Sequence, residues 1–158
     1  MEYDYDEKDV AIIRTLVSNA RLSCREIAKR LKLHPNTVIE RMGRMEEAGV
    51  IERYSAMISH EKLGYGVTAM VQVDVEGKTD DALKKIAKVP YVHETYRTTG
   101  EYDGIALIRC RDMNDLGKAT NDINEIHGVQ RVNTKIVLGS YPGTCEFATE
   151  PATSFKKL

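Results

Sequence analysis

Residues 34–48 carry polar and basic side chains at spacings that suit contact with a polyanion such as DNA. Pro35 favours the first turn of a helix, because its N–H is not needed there and its φ is already helical. Val38, Met42 and Met45 recur at helical spacing and predict one buried stripe, which leaves the other positions facing outward. The candidate contact residues on this helix and at its start are His34, Asn36, Thr37, Glu40, Arg41 and Arg44.

The segment before this helix favours the DNA hypothesis. Ser23 and Glu26 have the spacing of a capping box, in which each side chain bonds to the other residue's N–H, so a helix is predicted to begin near Ser23. Only residues 32–34 separate the two helices, which predicts a helix-turn-helix whose second helix enters the major groove. Arg25 is a candidate phosphate contact, since most protein–DNA hydrogen bonds go to the backbone.

Less specific explanations exist for the same residues. Arg41 and Arg44 are spaced to form ion pairs with glutamates on their own helix, and the polar residues of its first turn suit local capping. The charge distribution favours DNA. The chain of 158 residues has a net charge of −1, whereas residues 14–44 hold eight Lys or Arg and two acidic residues.

An N-terminal domain of three helices is predicted over residues 1–50. Asp6 and Asp9 are spaced to cap a first helix that ends near Ser18. Gly49 is suited to end the third helix, because glycine adopts a positive φ without a steric penalty. An extended linker is expected over residues 51–63, and its partial alternation of apolar side chains also allows a strand.

From residue 64 the pattern changes to strands. Residues 65–75 alternate apolar and polar side chains, and the segments up to residue 140 follow in the order β-α-β-β-α-β. Thr79 or Asp80 is predicted to cap the first of these helices, and Asp112 the second. This order predicts a ferredoxin-like antiparallel sheet with both helices on one face. The expected class is α+β, with a winged-helix-like helix-turn-helix domain joined by the linker to the ferredoxin-like domain.

The uncovered face of this sheet is expected to be an interface. An exposed apolar patch usually marks a contact surface, so we expect the chain to form at least a dimer there. The residues expected on that face are Val71, Val73, Ile105 and Leu107. Residues 141–158 form a C-terminal segment, with a turn at 141–144, a short extended piece at 145–149 and a tail.

The sequence does not favour an enzyme, a metal protein or a membrane protein. Its histidines and cysteines lack metal-ligand spacing, and it contains no glycine-rich phosphate loop or nucleophile elbow, so we expect no cofactor. The three cysteines, Cys24, Cys110 and Cys145, form no close pair and are expected to be reduced thiols. An acidic N-terminus and the lack of a long apolar run predict no signal peptide or membrane span, and hence a cytoplasmic protein.

Two motifs resemble the leucine-responsive regulatory protein / AsnC family of prokaryotic transcription regulators. Residues 33–51 are similar to that family's recognition helix and its exit, and residues 99–103, Thr-Gly-Glu-Tyr-Asp, to its effector loop. The resemblance extends from residue 6 to about residue 138. Departures from the family pattern occur at Lys32, His34, Glu101 and Gly104. Lys32 replaces a common glycine, so a left-handed conformation there would cost about 1 kcal/mol.

The resemblance implies a sequence-specific transcription regulator that forms dimers and then tetramers or octamers, and that binds effectors, often amino acids, at clefts between dimers. The implied effector residues are Thr98, Thr99, Gly100, Glu101, Tyr102 and Asp103. Glu101 or Asp103 is suited to an ammonium group and the loop N–H groups to a carboxylate, although a plain hairpin turn is an alternative. For the whole chain, the alternative is a small-molecule-binding module that controls an enzyme by protein contact.

Overall fold

The computed structural model describes residues 4–141, which form two compact units that divide between Met57 and Ile58. The first unit contains α1 (Glu7–Ser18), α2 (Cys24–Leu31) and α3 (Pro35–Glu47). The second contains a short 3-10 helix (Glu61–Leu63), β1 (Val67–Val75), α4 (Thr79–Ile86), β2 (Val92–Arg97), β3 (Gly104–Cys110), α5 (Met113–Asn124) and β4 (Val129–Ile136). The turn, extended piece and tail predicted after residue 141 lie outside the described residues, as does Cys145.

Both predicted helix starts in the first unit are confirmed, and each is a capping box. At α1, Asp6 Oδ1 accepts a hydrogen bond from the Asp9 N–H at 3.0 Å, and Asp9 Oδ2 accepts from the Asp6 N–H at 3.2 Å. At α2, Ser23 Oγ accepts from the Glu26 N–H at 3.3 Å, and Glu26 Oε2 accepts from the Ser23 N–H at 2.8 Å. These bonds satisfy N–H groups that have no partner within the helix, which fixes where each helix begins.

The turn between α2 and α3 has the predicted left-handed residue. Lys32 has φ 54° and ψ 41°, and the following residue, Leu33, donates its N–H to the Ala28 carbonyl at 2.9 Å. The predicted end of α3 is also confirmed, because Gly49 has φ +71° and the Val50 N–H donates to the Met45 carbonyl at 2.8 Å. The chain therefore reverses within three residues between two helices that share one core.

No strand forms in the described part of the segment after α3, up to the 3-10 helix, so the alternative of a strand there is wrong. Val50 and Ile51 instead pack against the core of the helical unit. Tyr54 donates its hydroxyl hydrogen to Glu46 Oε1 at 2.6 Å. The alternation alone could not predict a strand, because a strand forms only where a neighbouring strand is available for pairing.

The second unit is a four-stranded antiparallel sheet in the order β2-β3-β1-β4, which confirms the ferredoxin-like prediction. In the centre of the sheet Val71 lies opposite Ala106 of β3 and Thr134 of β4. The core is formed by buried side chains of β1, β3, α4 and α5: Ala69, Val71, Val73, Leu83, Ile86, Ala106, Ile108, Cys110, Leu116, Ala119 and Ile123. Both helices therefore cover one face of the sheet.

Two of the four residues predicted on the open face of the sheet lie instead on the covered face. Val71 and Val73 are fully buried on the face that the helices cover, whereas Ile105 and Leu107 have the opposite parity on β3 and lie on the open face. The open face also carries Met70, because that residue pairs with Leu107. The valine-rich side of a half-buried strand is the side that packs, so these valines belong under the helices.

The start of α4 also differs from the prediction. Its N-cap residue is Lys78, which makes no side-chain capping bond, and Thr79 is already the first helical residue. Asp80 forms an ion pair with Arg97 on β2, with 3.2 Å between Oδ1 and Nη1. The N-cap at Asp112 of α5 is confirmed, since its Oδ1 accepts from the Asp115 N–H at 2.9 Å.

Lys32→Gly should stabilise the helical unit. Glycine adopts a left-handed φ without the penalty that a Cβ brings, so we expect the free energy of unfolding to rise by about 1 kcal/mol. The measurement is urea unfolding followed by circular dichroism.

A matched control is Lys29→Gly, an exposed lysine inside α2, where glycine should destabilise by about 0.5–1 kcal/mol. A Lys32→Gly variant no more stable than the parent chain would contradict the assigned backbone conformation.

Candidate nucleic-acid interface and effector pocket

The outward side of α3 presents a row of polar side chains. Asn36, Glu40 and Arg44 follow one another at four-residue spacing and are exposed, while Val38 and Met45 are fully buried on the other side. The row offers an amide, a carboxylate and a guanidinium, which are the groups that hydrogen-bond to the edges of bases. This side of α3 is therefore the candidate nucleic-acid interface.

The first turn of α3 is held by a histidine cap. His34 Nδ1 accepts a hydrogen bond from the Asn36 N–H at 3.3 Å, so the neutral ring carries its hydrogen on Nε2. The ring is exposed, and Nε2–H is a donor suited to a phosphate oxygen. Thr37 in the same turn is half-buried.

An exposed isoleucine on α3 was missed by the sequence interpretation. Ile39 is 55% exposed and lies outside the buried stripe of the helix. An apolar side chain beside groups that contact bases is suited to the methyl group of thymine. The sequence contained a sign of this exposure. Ile39 directly follows Val38, so it cannot lie in the stripe that Val38 shares with Met42 and Met45.

Basic side chains also lie on α2. Arg25, Lys29 and Arg30 are exposed there, and Arg25 is in the first turn. Long, flexible basic side chains on the helix that crosses the DNA backbone are suited to phosphates rather than to base edges.

Arg41 forms ion pairs with two carboxylates of the α1 capping box. Its Nη1 lies 2.9 Å from Asp9 Oδ1 and 2.7 Å from Asp6 Oδ2. The side chain of Arg41 is 17% exposed and that of Asp9 only 2%. The backbone hydrogen bond from Asp9, together with Arg41, lowers the pKa of Asp6 below its ordinary value. Arg41 thus joins the start of α1 to the middle of α3.

This arrangement gives Arg41 partners that the sequence interpretation did not consider. The alternative to DNA contact was pairing with glutamates of the same helix, but the partners come from a helix about 30 residues earlier. Because Asp9 is buried, its charge requires a cation close by. Arg41 is placed to hold α3 in position.

Arg41→Met should destabilise the helical unit by about 3 kcal/mol, because it leaves the buried Asp9 carboxylate without its cation. The double variant Asp9→Asn/Arg41→Met should recover most of that loss, since it removes the unpaired charge while keeping an acceptor for the Asp6 N–H. Urea unfolding measures both.

Arg44→Met is the control, as an exposed arginine one turn further along α3, and should change the free energy of unfolding by less than about 0.5 kcal/mol. Equal effects of Arg41→Met and Arg44→Met would show that the ion pair does not hold the helices together.

The loop between β2 and β3 is anchored at both ends by hydrogen bonds. The Thr98 N–H donates to the Asp103 carbonyl at 2.9 Å, and Thr98 Oγ1 donates to the Tyr102 carbonyl at 2.7 Å. Asp103 Oδ2 accepts from the Val75 N–H of β1 at 2.8 Å. Gly100 has φ +109°, a backbone conformation that residues other than glycine rarely adopt. The Asp103 carboxylate is thus used to fix the loop to the sheet.

A pocket of about 420 Å³ lies between this loop and the open face of the sheet. Its loop side is lined by Thr98, Thr99, Glu101 and Tyr102. Its sheet side is lined by Gln72, Ile105, Asn133 and Lys135. Four of the six predicted effector residues therefore line one pocket, whereas Gly100 and Asp103 shape the loop without lining it.

Two side chains of β4 hold Tyr102 in this pocket. The Arg131 guanidinium lies 4.6 Å from the centre of the Tyr102 ring, and the Asn133 amide nitrogen donates to the Tyr102 hydroxyl at 3.2 Å. Arg131 also forms ion pairs with Glu101 at 3.3 Å and with Asp74 at 3.6 Å. These sheet residues were not predicted, because they are distant in sequence and belong to no local motif.

Gly104, one of the departures from the family pattern, has a packing explanation. A Cβ at Gly104 would lie 2.5 Å from Leu83 Cδ2 of α4. Leu83 therefore occupies the space beside β3 that a side chain at position 104 would need.

Residues 4–141 contain neither a cluster suited to a metal ion nor a helix able to cross a membrane. No group of three or more His, Cys, Asp or Glu residues there is arranged to hold a metal ion. Nor does that part of the chain contain a helix with the length and apolar character required to cross a membrane.

A helix-turn-helix with a polar outward face, followed by a ferredoxin-like domain with a polar pocket, defines a two-domain, DNA-binding transcription regulator. Two family models match the chain: winged helix-turn-helix DNA-binding over residues 5–52, and Lrp/AsnC ligand binding domain over residues 68–144. The chain belongs to the Lrp/AsnC family of transcription regulators.

Relatives from archaea and bacteria are similar over nearly their whole length. The HTH-type transcriptional regulator FL11 of Pyrococcus horikoshii is 36% identical over 92% of this chain and 97% of its own. Among solved structures, Escherichia coli AsnC is 31% identical, with a TM-score of 0.80 over 87% of this chain and 95% of its own. A Neisseria meningitidis transcriptional regulator in complex with L-Met is 27% identical, with a TM-score of 0.82 over 96% and 99%.

Proposed function

We propose that this protein regulates transcription by inserting α3 into the major groove of double-stranded DNA at specific sites. The observation that carries this proposal is the exposed row of Asn36, Glu40 and Arg44 on a helix held to α1 by the ion pair between Arg41 and the buried Asp9. A helix must be held rigidly before its side chains can distinguish one base pair from another.

The candidate residues divide by the chemistry of their contacts. Arg44 is suited to a guanine edge, Asn36 to adenine and Ile39 to thymine. His34 and Arg25 are suited to phosphates, which position the protein without selecting a sequence. Arg41 acts through its carboxylate partners and orients the helix.

Arg44→Ala should weaken binding to a selected DNA site by about 1–3 kcal/mol and relax discrimination at one base pair. Arg25→Ala should weaken binding to all sequences about equally and reduce the dependence of affinity on salt. Gel shifts at several salt concentrations, with sites selected from a random library by the parent chain, measure both effects.

Lys84→Ala is the control, an exposed lysine on α4 in the other domain, and should bind as the parent chain does. Parent-like DNA binding by Arg44→Ala and Arg25→Ala together would contradict this interface. A chain that selects no DNA at all would favour the alternative of a module that acts on an enzyme by protein contact.

We propose further that an amino acid or a related small molecule binds in the pocket beside Tyr102 and acts as the effector. Support comes from the polar lining of the pocket and from the Neisseria meningitidis regulator, whose structure contains L-Met. The effector changes DNA binding only if it binds one state of the protein more tightly than another. We propose no catalytic activity for this chain. Its proposed place of action is the cytoplasm, where prokaryotic DNA is transcribed.

Self-association through the open face of the sheet is the third part of the proposal. Met70 is 46% exposed there, and Tyr96, Ile105 and Leu107 share the face. An apolar strip of this kind on a small domain is suited to a second copy of the chain, and dimers are expected to assemble into tetramers or octamers.

Met70→Lys should reduce the mass measured by light scattering, because it places a charge in the proposed interface. Met113→Lys is the matched control: Met113 is 56% exposed at the start of α5, on the covered side of the sheet, and its replacement should leave the mass unchanged. A monomeric parent chain at micromolar concentration would contradict the proposal.

A further inference from the structure

We propose that Gly43 is the position at which α3 approaches DNA most closely, so that the lack of a side chain there lets the helix lie deep in the major groove. The inference rests on the proposed DNA-binding function and concerns how the same helix is seated. It follows from the direction of Gly43 on α3, from the space around it and from the effect of glycine on a helix.

Gly43 lies near the centre of the outward side of α3. Successive residues of an α-helix are about 100° apart, so Gly43 and Asn36 differ in direction by only about 20°. Both positions lie on the side of the helix opposite its two fully buried side chains. Ile39 and Glu40, which are exposed, flank this line at about 50° to either side. A surface that meets the outward side of α3 squarely therefore meets Gly43.

The described part of the chain gives no reason for a glycine at this position. A Cβ at Gly43 would meet no atom of residues 4–141 within 4 Å beyond the adjacent backbone of its own helix. Gly43 lies inside α3 and its φ is not positive, so its backbone conformation suits any residue. Glycine inside a helix is also destabilising relative to alanine. Neither packing nor backbone conformation within residues 4–141 thus requires it.

Insertion into DNA supplies a reason. An α-helix with its side chains is about 10–12 Å across and the major groove is about 12 Å wide, so a side chain at the centre of the inserted side limits the depth of entry. Glycine is suited to places where a backbone must come close to a ligand. With no side chain at Gly43, the flanking Ile39 and Glu40 come closer to the edges of the bases.

The same geometry predicts that α3 lies along the groove. The stretch of helix from Asn36 to Gly43 is about 10 Å long, which corresponds to about three base pairs. Close approach at both positions requires more than the first turn of the helix to enter the groove.

Gly43→Ala should have opposite effects on folding and on DNA binding. Alanine favours a helix and finds open space in the chain, so we expect the midpoint of thermal unfolding to rise by about 2–5 °C. The added methyl group should weaken binding to the selected DNA site about tenfold, because it meets the DNA. Binding to random-sequence DNA, which depends on phosphate contacts, should change less than about twofold. Circular dichroism measures the first effect, and gel shifts at fixed salt measure the other two.

Gly117→Ala is the matched control. Gly117 also lies inside a helix, α5 of the second domain, and a Cβ there would meet no atom of residues 4–141 within 4 Å. This variant should gain a similar stability and bind the selected site as the parent chain does. Gly43→Gln, with a longer side chain, should bind that site more weakly than Gly43→Ala.

Other outcomes separate this inference from the proposed function. If Gly43→Ala binds the selected site as tightly as the parent chain, or weakens selected and random DNA equally, deep insertion at Gly43 is overturned. The DNA-binding function then stands if Arg44→Ala still weakens binding. If Gly43→Ala alone lowers the mass measured by light scattering without DNA, the position contacts a second copy of the chain and the inference is overturned. A chain that selects no DNA overturns both the inference and the proposed function.

Discussion

The contact on which the DNA-binding domain depends is the ion pair between Arg41 of α3 and the α1 carboxylates. Among the described residues, the core of this domain contains six buried apolar side chains, which is few for holding three helices in one arrangement. Apolar contacts are not directional, whereas a guanidinium between two carboxylates fixes both distance and angle. A buried charge pair adds little net stability compared with apolar residues of the same size, but its loss leaves an unpaired charge. In this domain the pair positions α3, the helix that we propose to meet DNA.

The second domain uses a comparable arrangement at its pocket. Asp103 fixes the loop to β1, and Arg131 and Asn133 hold Tyr102 against the open face of the sheet. The groups that keep the pocket in shape have partners in the protein, and Gln72 and Lys135 line its sheet side. Groups held in place by such contacts keep a pocket in one shape, which lowers the cost of ordering when a ligand binds.

Local features were predictable from the sequence, and contacts between distant segments were not. The caps at Asp6, Ser23 and Asp112 depend on residues two to three positions apart, so their spacing alone predicted where three helices begin. The left-handed conformation at Lys32 was indicated by the family resemblance, because glycine is common at that position of the turn. The alternation in β1 correctly predicted two faces, but the side that the helices cover depends on packing, and the β1 valines were placed on the wrong one.

The candidate site shows the same limit. The outward row on α3 was predictable from helical periodicity, and the loop at residues 98–103 from a local motif. The partners of Arg41 and the sheet side of the pocket bring together residues about 30 to 60 positions apart. The periodicity of side chains within one helix or strand gives no information about such pairs. The role of Arg41 in positioning α3, and the contribution of Lys135 to the pocket, therefore became apparent only from the folded chain.

The most direct test of the central claim, that α3 enters the groove, is site-specific photo-crosslinking to a selected DNA fragment. A photoreactive side chain at position 39, which is exposed on α3, is compared with one at position 113, which is equally exposed on the second domain. We expect efficient crosslinks to bases within the selected site from position 39 and none from position 113. Crosslinking from position 113 alone, or from neither position while the chain still binds DNA, would contradict the account.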